Sequence, residues 1–178
     1  MDRRTRKTRE ALYSAFVSLV VERGFEAITV QQIIEAADIG RTTFYAHFKS
    51  KEQLLGFGFS RLRAELDSLL AATTPVPGRW SFVAPLLQHA AGHAGLYGAL
   101  VEGRGGRLAE REFGAIVEEM VARELGNAPH RRTAVALLSG ALSGAVRSVV
   151  ETRDNTRIAE AASLFLTLAD AVDAPPRP

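Results

Sequence analysis

The stretch Thr29–Lys51 constrains the fold of this chain more than any other. Its apolar residues recur at the i, i+3, i+4 and i+7 spacing of one helix face: Val30, Ile33, Ile34 and Ala37. Thr29 and Gln32 form a capping-box pattern at the start of that helix. Asp38-Ile39-Gly40 then interrupts the apolar period. The pattern predicts a short helix followed by a tight turn, as in a helix-turn-helix unit.

The next predicted helix has two sharply different faces. Phe44 and Phe48 lie one turn apart, so they are expected to face inward. The side chains that then face outward are Thr42, Thr43, Tyr45 and Ala46, with Arg41 and His47 on the flanks. A face with hydroxyls, a cation and no acid suits the phosphate-lined groove of DNA. Ser50 and Gln53 repeat the capping pattern, so a further helix should begin at Lys51, where free N–H groups favour phosphate.

These residues carry a family resemblance. F-Y-A-H-F-K-S-K-E-Q-L-L, after A-A-D-I-G-R-T-T, resembles the DNA-binding signature of TetR/AcrR-type transcriptional regulators. The resemblance covers Arg6–Leu55 closely and the rest of the chain only in layout. It implies an all-α fold of about nine helices, with a helix-turn-helix DNA-binding domain at 1–50 and a helical effector-binding and dimerisation domain at 51–178. One departure is Gly40, which stands where the family usually has a capping serine and is a weaker cap.

The resemblance and the two-faced helix together give a set of expected DNA contacts. Thr42, Thr43 and Ala46 are the candidates for base contacts. The candidates for phosphate contacts or for flanking the bases are Arg41, Tyr45, His47, Lys49 and Lys51, with Thr29 and Gln31 near the DNA backbone.

The charge distribution agrees with this expectation, although the total charge does not. Twenty-two Lys and Arg against twenty Asp and Glu leave a formal charge of only +2. The basic residues concentrate in an N-terminal arm formed by Arg3, Arg4, Arg6, Lys7 and Arg9. Such an arm is typical of nucleic-acid binding, and a solvated, frayed terminus is the alternative interpretation.

Composition excludes several other classes of protein. The chain has no cysteine, which removes disulfides, thiolate zinc sites and thiol redox sensing. We expect no membrane span, because no apolar run approaches the roughly 18 residues needed. The basic arm and Ala11–Val21 imitate a signal peptide, but Glu22 and Arg23 follow directly and no cleavage site is present. We therefore expect a cytoplasmic protein without membrane contact.

The remaining helices are predicted with less detail. A long helix should run from the Ser50 cap to about Ala72, with Gly56 and Gly58 marking either close packing or a soft point. Further helices are expected at Trp80–His93 and Ala94–Val101, followed by a mobile loop at Glu102–Arg107. The last three helices are expected at about 108–125, 129–152 and 156–172, and 73–78, 153–155 and 174–178 should be loops or tail.

A small-molecule pocket is expected in the C-terminal domain, for an apolar or amphipathic effector. Its candidate residues mix large rings with a few polar groups: Phe57, Trp80, Leu87, His89, His93, Tyr97, Phe113, Val117 and Met120. Taken singly, each is more typical of a packed core. His89 and His93 have metal-binding spacing, but no third ligand is evident, so we expect no metal and no cofactor.

The last two predicted helices carry more apolar surface than one domain needs, which predicts a self-complementary homodimer. The candidate interface residues are Leu138, Leu142, Val146, Ile158, Ala162, Phe165 and Ala169. A fully internal helical hairpin is the alternative.

The resulting hypothesis is a homodimeric regulator that binds a palindromic double-stranded DNA operator, with repression released by an unknown small-molecule effector. One alternative is a helical small-molecule-binding protein that has lost DNA binding. A small helical enzyme is a second alternative, but no nucleophile motif, P-loop or dinucleotide fingerprint is present, so we do not expect an enzyme.

Overall fold

The computed structural model describes residues 3–72, 78–100, 103–127, 130–152 and 156–173. These residues form helices and no strand, which confirms the all-α prediction. The helices are α1 (Arg3–Arg23), α2 (Val30–Ala36), α3 (Arg41–His47), α4 (Lys51–Ala72), α5 (Val83–Gly92), α6 (Ala94–Ala99), α7 (Gly103–Leu125), α8 (Arg131–Thr152) and α9 (Thr156–Asp173). The predicted loop at 73–77, the helix start at residue 129, the turn at 153–155 and the tail at 174–178 lie outside the described residues.

Two compact units divide the chain, and each draws on two stretches of sequence. Unit 1 comprises residues 1–62 and 95–112, and unit 2 comprises residues 63–94 and 113–178. The functional division predicted after residue 50 stays a prediction.

An aromatic cluster forms the core of unit 1. Phe16 and Phe25 meet edge to face with ring centroids 6.1 Å apart, and Phe48 lies 5.6 Å from Phe57. Tyr13 packs on Phe57 at 5.7 Å, and its hydroxyl occupies the space beside Gly58. A Cβ at Gly58 would lie 2.5 Å from that hydroxyl oxygen, so this glycine serves close packing between α1 and α4. A Cβ at Gly56 would have no heavy atom within 4 Å, so no such close packing applies there.

Unit 2 has its core where α5, α8 and α9 pack against one another. Trp80, only 3% exposed, lies edge-on to Phe165 of α9 with ring centroids 5.5 Å apart. Trp80 adopts a left-handed φ of +64°, which a right-handed helix does not include. The helix predicted to begin at Trp80 therefore begins at Val83, three residues later.

The glycine-rich segment at 102–107 was predicted as a mobile loop, and for residues 103–107 that prediction is wrong, because α7 begins at Gly103. A contact from the α1–α2 connection explains the difference. The Glu26 carboxylate accepts a hydrogen bond from the Gly105 N–H at 3.1 Å, which satisfies a free donor in the first turn. A Cβ at Gly105 would lie 2.5 Å from the ring of Phe25, so only glycine fits there. Tertiary packing has overridden the low helix propensity of glycine.

Helix α8 meets the length and composition of a membrane span, contrary to the prediction that no segment would. It has 22 residues, and its most apolar window has a mean hydropathy of 1.5. Its buried residues recur along one face and include Leu138, Leu142 and Val149. In unit 2, α8 packs on α5 and α9, and 33% of its most apolar window is buried.

Candidate nucleic-acid interface

Helix α2 begins with the capping box that the sequence predicts. The Thr29 hydroxyl accepts a hydrogen bond from the Gln32 N–H at 3.3 Å, and the Gln32 side-chain oxygen accepts one from the Thr29 N–H at 2.8 Å. Ile28 and Ile33 are both buried beside this cap, as a hydrophobic staple requires. Two free backbone donors are thereby satisfied, which fixes the start of α2.

The turn between α2 and α3 is made by Asp38 and not by the glycine that follows it. Asp38 has φ +52°, a left-handed conformation that aspartate tolerates better than most residues. Gly40 has φ −66° and ψ 148°, which any residue can adopt, and it makes no side-chain cap. Helix α3 therefore starts without the hydroxyl cap that the resemblance would lead one to expect.

Helix α3 presents the two faces predicted for it. Phe44 is fully buried and Phe48, at its end, is 3% exposed. The outward residues are all exposed: Arg41, Thr42, Thr43, Tyr45 and Ala46. The Arg41 guanidinium carbon lies 5.7 Å from the centroid of the Tyr45 ring, so these two flanking side chains stack loosely. The prediction of which side chains face outward is confirmed.

A cleft runs between the outer face of α3 and the first turns of α1. Its volume is about 310 Å³, and it is lined by Arg4, Thr5, Thr8, Thr42, Thr43, Ala46 and His47. Sequence reasoning found the four α3 residues but missed Thr5 and Thr8. Their i, i+3 spacing on the basic arm was the available signal, since it places both threonines on one side of α1.

The exposed charge at the start of α1 and along residues 41–49 is mostly positive. Exposed cations include Arg3, Arg4, Arg6, Lys7, Arg41 and Lys49. The exposed acid Glu35 on α2 accepts a hydrogen bond from the Gln31 amide at 2.8 Å. The Lys49 backbone N–H donates to the Gln53 side chain at 2.8 Å, so Gln53 caps the turn one residue before Ser50, where the sequence placed the capping box. The Lys49 side chain stays exposed.

Two cations predicted to serve DNA lie against the interior of unit 1. The Arg9 guanidinium carbon is 4.4 Å from the Phe57 ring centroid and 5.2 Å from that of Phe48, which makes Arg9 a cation–π partner of the aromatic cluster. The Lys51 ammonium lies within 2.8 Å of two backbone carbonyl oxygens, those of Phe25 and Ile28. Such enclosure does not suit the phosphate contact expected of the Lys51 side chain.

The expected pocket residues divide between the two units. Trp80, Leu87, Phe113, Val117 and Met120 are buried in unit 2, where His89 is half-buried and His93 exposed. Phe57 and Tyr97 are half-buried in unit 1, and burial raises the pKa of Tyr97 above its ordinary value. The pocket stays a prediction. Within unit 2, the indole nitrogen of Trp80 and the hydroxyl of Ser139 are buried without a hydrogen-bond partner among the described residues.

His89 and His93 form a stacked pair in unit 2. Their ring centroids are 4.2 Å apart with planes inclined by 22°, and the His93 Nδ1 lies 2.9 Å from the His89 carbonyl oxygen. Burial lowers the pKa of His89, the neighbouring His93 lowers it further, and Glu65, 3.6 Å away, opposes both. Near-parallel rings direct their nitrogen lone pairs along near-parallel lines, which do not converge on one metal ion. The described part of the chain contains no cluster of three or more potential metal ligands.

The α8–α9 pair exposes a different set of apolar residues from the one predicted for a dimer. Of the predicted set, Leu138, Leu142, Val146, Phe165 and Ala169 are buried within the single chain, and Ile158 and Ala162 are half-buried. Large apolar side chains that remain exposed are Leu137 at 59%, Leu164 at 65%, Leu166 at 38% and Leu168 at 42%. Because both helices are apolar nearly all round, periodicity alone did not distinguish the inner from the outer face.

Comparison with known proteins finds a matching family and relatives for part of the chain. The family described as bacterial regulatory proteins, tetR family, matches residues 12–56. The HTH-type transcriptional regulator YxbF of Bacillus subtilis (strain 168) is 40% identical over 77 residues, which are 42% of this chain and 20% of that protein. The HTH-type transcriptional repressor DhaR of Mycobacterium sp. (strain GP1) is 32% identical over 96 residues, 51% and 48% of the two chains. The chain thus spans less than half the length of these relatives.

Solved structures extend the likeness to the whole fold. A TetR transcriptional regulator from Streptococcus agalactiae 2603V matches with a TM-score of 0.71 at 24% identity, over 94% of this chain and 96% of that one. The dihydroxyacetone kinase operon activator DhaS matches with the same TM-score at 18% identity, over 94% and 98% of the two chains. At these identities the likeness establishes the fold alone.

Proposed function

We propose that this chain is a cytoplasmic transcriptional regulator that binds operator DNA through α3, since residues 12–56 match the family of bacterial regulatory proteins described as the tetR family. One observation carries the proposal. Phe44 and Phe48 are buried in unit 1 while Thr42, Thr43 and Tyr45 face outward beside the basic start of α1. A buried aromatic face therefore supports a hydroxyl-bearing outer face, which can enter a major groove without an acid to repel phosphate.

In this proposal the residues of the outer face have separate roles. Thr42, Thr43 and Ala46 line the cleft beside α1 and contact base edges, with the Ala46 methyl against a thymine methyl. The phosphate contacts come from exposed or half-buried side chains that flank them: Arg41, Tyr45, His47 and Lys49, with Thr29 and Gln31 near the DNA backbone. Arg4 lines the same cleft and extends the positive surface along α1.

The regulator acts as a homodimer on a palindromic operator, with one α3 in each of two successive major grooves. The centres of the half-sites are then about 34–36 Å apart, or a multiple of that distance. The dimer face is the outer side of α8 and α9, where Leu137, Leu164 and Leu168 are exposed. Gly140 and Gly144 are exposed on α8 with open space at their Cβ positions, which permits a partner helix to approach closely.

An effector that binds unit 2 releases the operator. Among the buried polar groups of unit 2 that have no partner among the described residues, the Trp80 indole N–H and the Ser139 hydroxyl favour an amphipathic molecule with a hydrogen-bonding group. Repression is the expected action, since the relative DhaR is named a repressor, although the structural neighbour DhaS is named an activator. The proposal includes no catalytic step.

The decisive experiment selects duplexes from a random-sequence library with the wild-type protein. We expect enrichment of one palindromic sequence, and affinity for it should fall steeply with salt. Thr43→Ala should relax preference at one base pair, by about 1–3 kcal/mol of discrimination. Lys49→Ala should weaken binding to all sequences alike and reduce the salt slope by about 0.9.

The competing function is a helical small-molecule-binding protein whose head no longer binds DNA. The acid-free outer face of α3 argues against it. The regulator proposal fails under two joint results: the selection enriches no sequence, and the protein binds a mixed-sequence duplex no more tightly than it binds an uncharged polymer. The small-molecule-binding alternative then replaces it.

A further inference from the structure

The Lys51 side chain, at the first residue of α4, is enclosed by backbone carbonyl groups. Its Nζ lies 2.7 Å from the Phe25 oxygen, 2.8 Å from the Ile28 oxygen and 3.4 Å from the Glu26 oxygen. The same ammonium is 4.6 Å from the centroid of the Phe25 ring. All these partners belong to the connection between α1 and α2, more than twenty residues earlier in the chain.

These contacts can engage every N–H donor of the Lys51 side chain. A lysine ammonium has three N–H donors and no acceptor, and three carbonyl oxygens surround Lys51. Two of the three distances are short, as in charge-assisted hydrogen bonds. A DNA phosphate would have to compete with these carbonyl groups for the N–H donors of the Lys51 ammonium. The neighbouring Lys49, by contrast, has an exposed side chain.

The contacts of Lys51 connect the two segments that flank α3 in the sequence. Ile28 directly precedes Thr29, the N-cap of α2, and Lys51 is the first residue of α4. One side chain therefore joins the start of α2 to the start of α4. Helix α3 lies between these two points in sequence and is only seven residues long. A helix so short depends on its neighbours for its orientation, because it gains little stability on its own.

We propose that Lys51 is a positioning residue for DNA recognition, which orients α3 by binding the carbonyl groups of Phe25 and Ile28 and does not contact phosphate. The inference rests on the proposed DNA-binding function. It also gives different roles to two lysines that the sequence alone predicts to be phosphate ligands. Lys49 contributes positive charge at the DNA backbone, and Lys51 fixes the orientation of α3.

The absence of cysteine from the chain allows a direct test. Lys51→Cys introduces a single thiol, which can be alkylated in urea with 2-bromoethylamine to give a lysine isostere, or with iodoacetamide to give a neutral amide of similar length. Wild-type protein carried through the same treatment is the control for refolding. The probes are the duplex enriched by wild-type protein and a mixed-sequence duplex, titrated with salt at a temperature where every sample is folded by circular dichroism.

The expected result has three parts. Lys51→Cys keeps the wild-type salt slope, whereas Lys49→Ala lowers the slope by about 0.9. Lys51→Cys lowers the urea midpoint and weakens binding to the enriched duplex by about tenfold or more, the scale of a lost charge-assisted hydrogen bond. Aminoethylation restores both quantities, and the neutral amide restores neither.

Three results overturn the inference. The first is a slope reduced by about 0.9 with an unchanged urea midpoint, since that identifies a phosphate contact. The second is a lowered midpoint with unchanged DNA affinity, which shows a role in stability only. The third is equal restoration, or none, by both reagents. If wild-type protein enriches no duplex, the proposed function has failed, and the urea midpoints of the two alkylated forms still decide whether the Lys51 ammonium stabilises unit 1.

Discussion

Helix α3 and the α8–α9 pair show how differently a sequence can specify the face that a helix presents. In α3, two phenylalanines alternate with threonines and a tyrosine, so only one orientation buries the rings. In α8 and α9, leucine, alanine and valine occur nearly all round, so their spacing does not select one inner face. The inner and outer leucines Leu138 and Leu137 are adjacent and chemically identical. Periodicity identifies a face only where the helix is amphipathic.

The largest effect should come from the inner face of α3. Phe44→Ala removes a fully buried ring, and we expect a loss of about 3–5 kcal/mol in the free energy of unfolding, measured by urea denaturation. Operator binding should disappear with it. The matched control is Tyr45→Ala, because Tyr45 is 47% exposed and its loss should cost only the edge-to-face contact with Phe44, about 0.5–1.5 kcal/mol of unfolding free energy. Equal destabilisation by the two variants would contradict the two-faced description of α3.

The α8–α9 pair can be tested with adjacent leucines. Leu138→Ala should cost about 2–5 kcal/mol in unfolding free energy, because the side chain has no exposed surface. Leu137→Glu and Leu164→Glu should leave the fold intact and convert a dimer to a monomer in sedimentation velocity, since both side chains are more than half exposed. A dimer that survives both glutamates would place the subunit interface on another surface.

A smaller effect is expected from the stacked histidines of unit 2. Burial and the neighbouring His93 lower the pKa of His89 below 6.5, so the unfolded chain takes up this proton at higher pH than the folded chain does. The stability that the neutral imidazole contributes is complete above pH 6.5 and is lost as pH falls through the folded pKa.

As the pH is lowered below 6.5, the urea midpoint of wild-type protein should therefore decrease more steeply than that of His89→Gln. The exposed His130, changed to glutamine, is the control for the loss of a histidine elsewhere in the chain. Equal slopes for wild-type protein and His89→Gln would show that Glu65, which favours the protonated form, fully offsets the effects of burial and of His93.

The smallest predicted effect concerns the cap of α3. Gly40→Ser should raise the free energy of unfolding by a few tenths of a kcal/mol, because serine is only slightly better than glycine at an N-cap. The extended conformation of Gly40 suits serine, and a Cβ there meets nothing within 4 Å. Gly40→Ala lacks the hydroxyl and serves as the comparison. A stabilisation by alanine as large as that by serine would assign the effect to loss of glycine flexibility.

Local pattern predicted much of this molecule, and long-range contact decided the rest. The cap at Thr29, the turn before Gly40 and the burial of Phe44 all follow from residues close together in sequence. The helical start of α7 depends on Glu26, far away along the chain, which no local pattern reveals. Lys51 is a similar case, because its neighbours in sequence suggest a phosphate ligand while its partners in space are carbonyl groups.

The buried indole of Trp80 gives this chain a convenient division of optical labels. Trp80, the single tryptophan, belongs to unit 2, whereas the three tyrosines, Tyr13, Tyr45 and Tyr97, all belong to unit 1. Fluorescence excited at the long-wavelength edge of the tryptophan absorption band therefore reports on unit 2. Tyrosine absorbance reports mainly on unit 1. Heating the unmodified protein while both signals are recorded will show whether the two units melt together or in succession, without any attached dye.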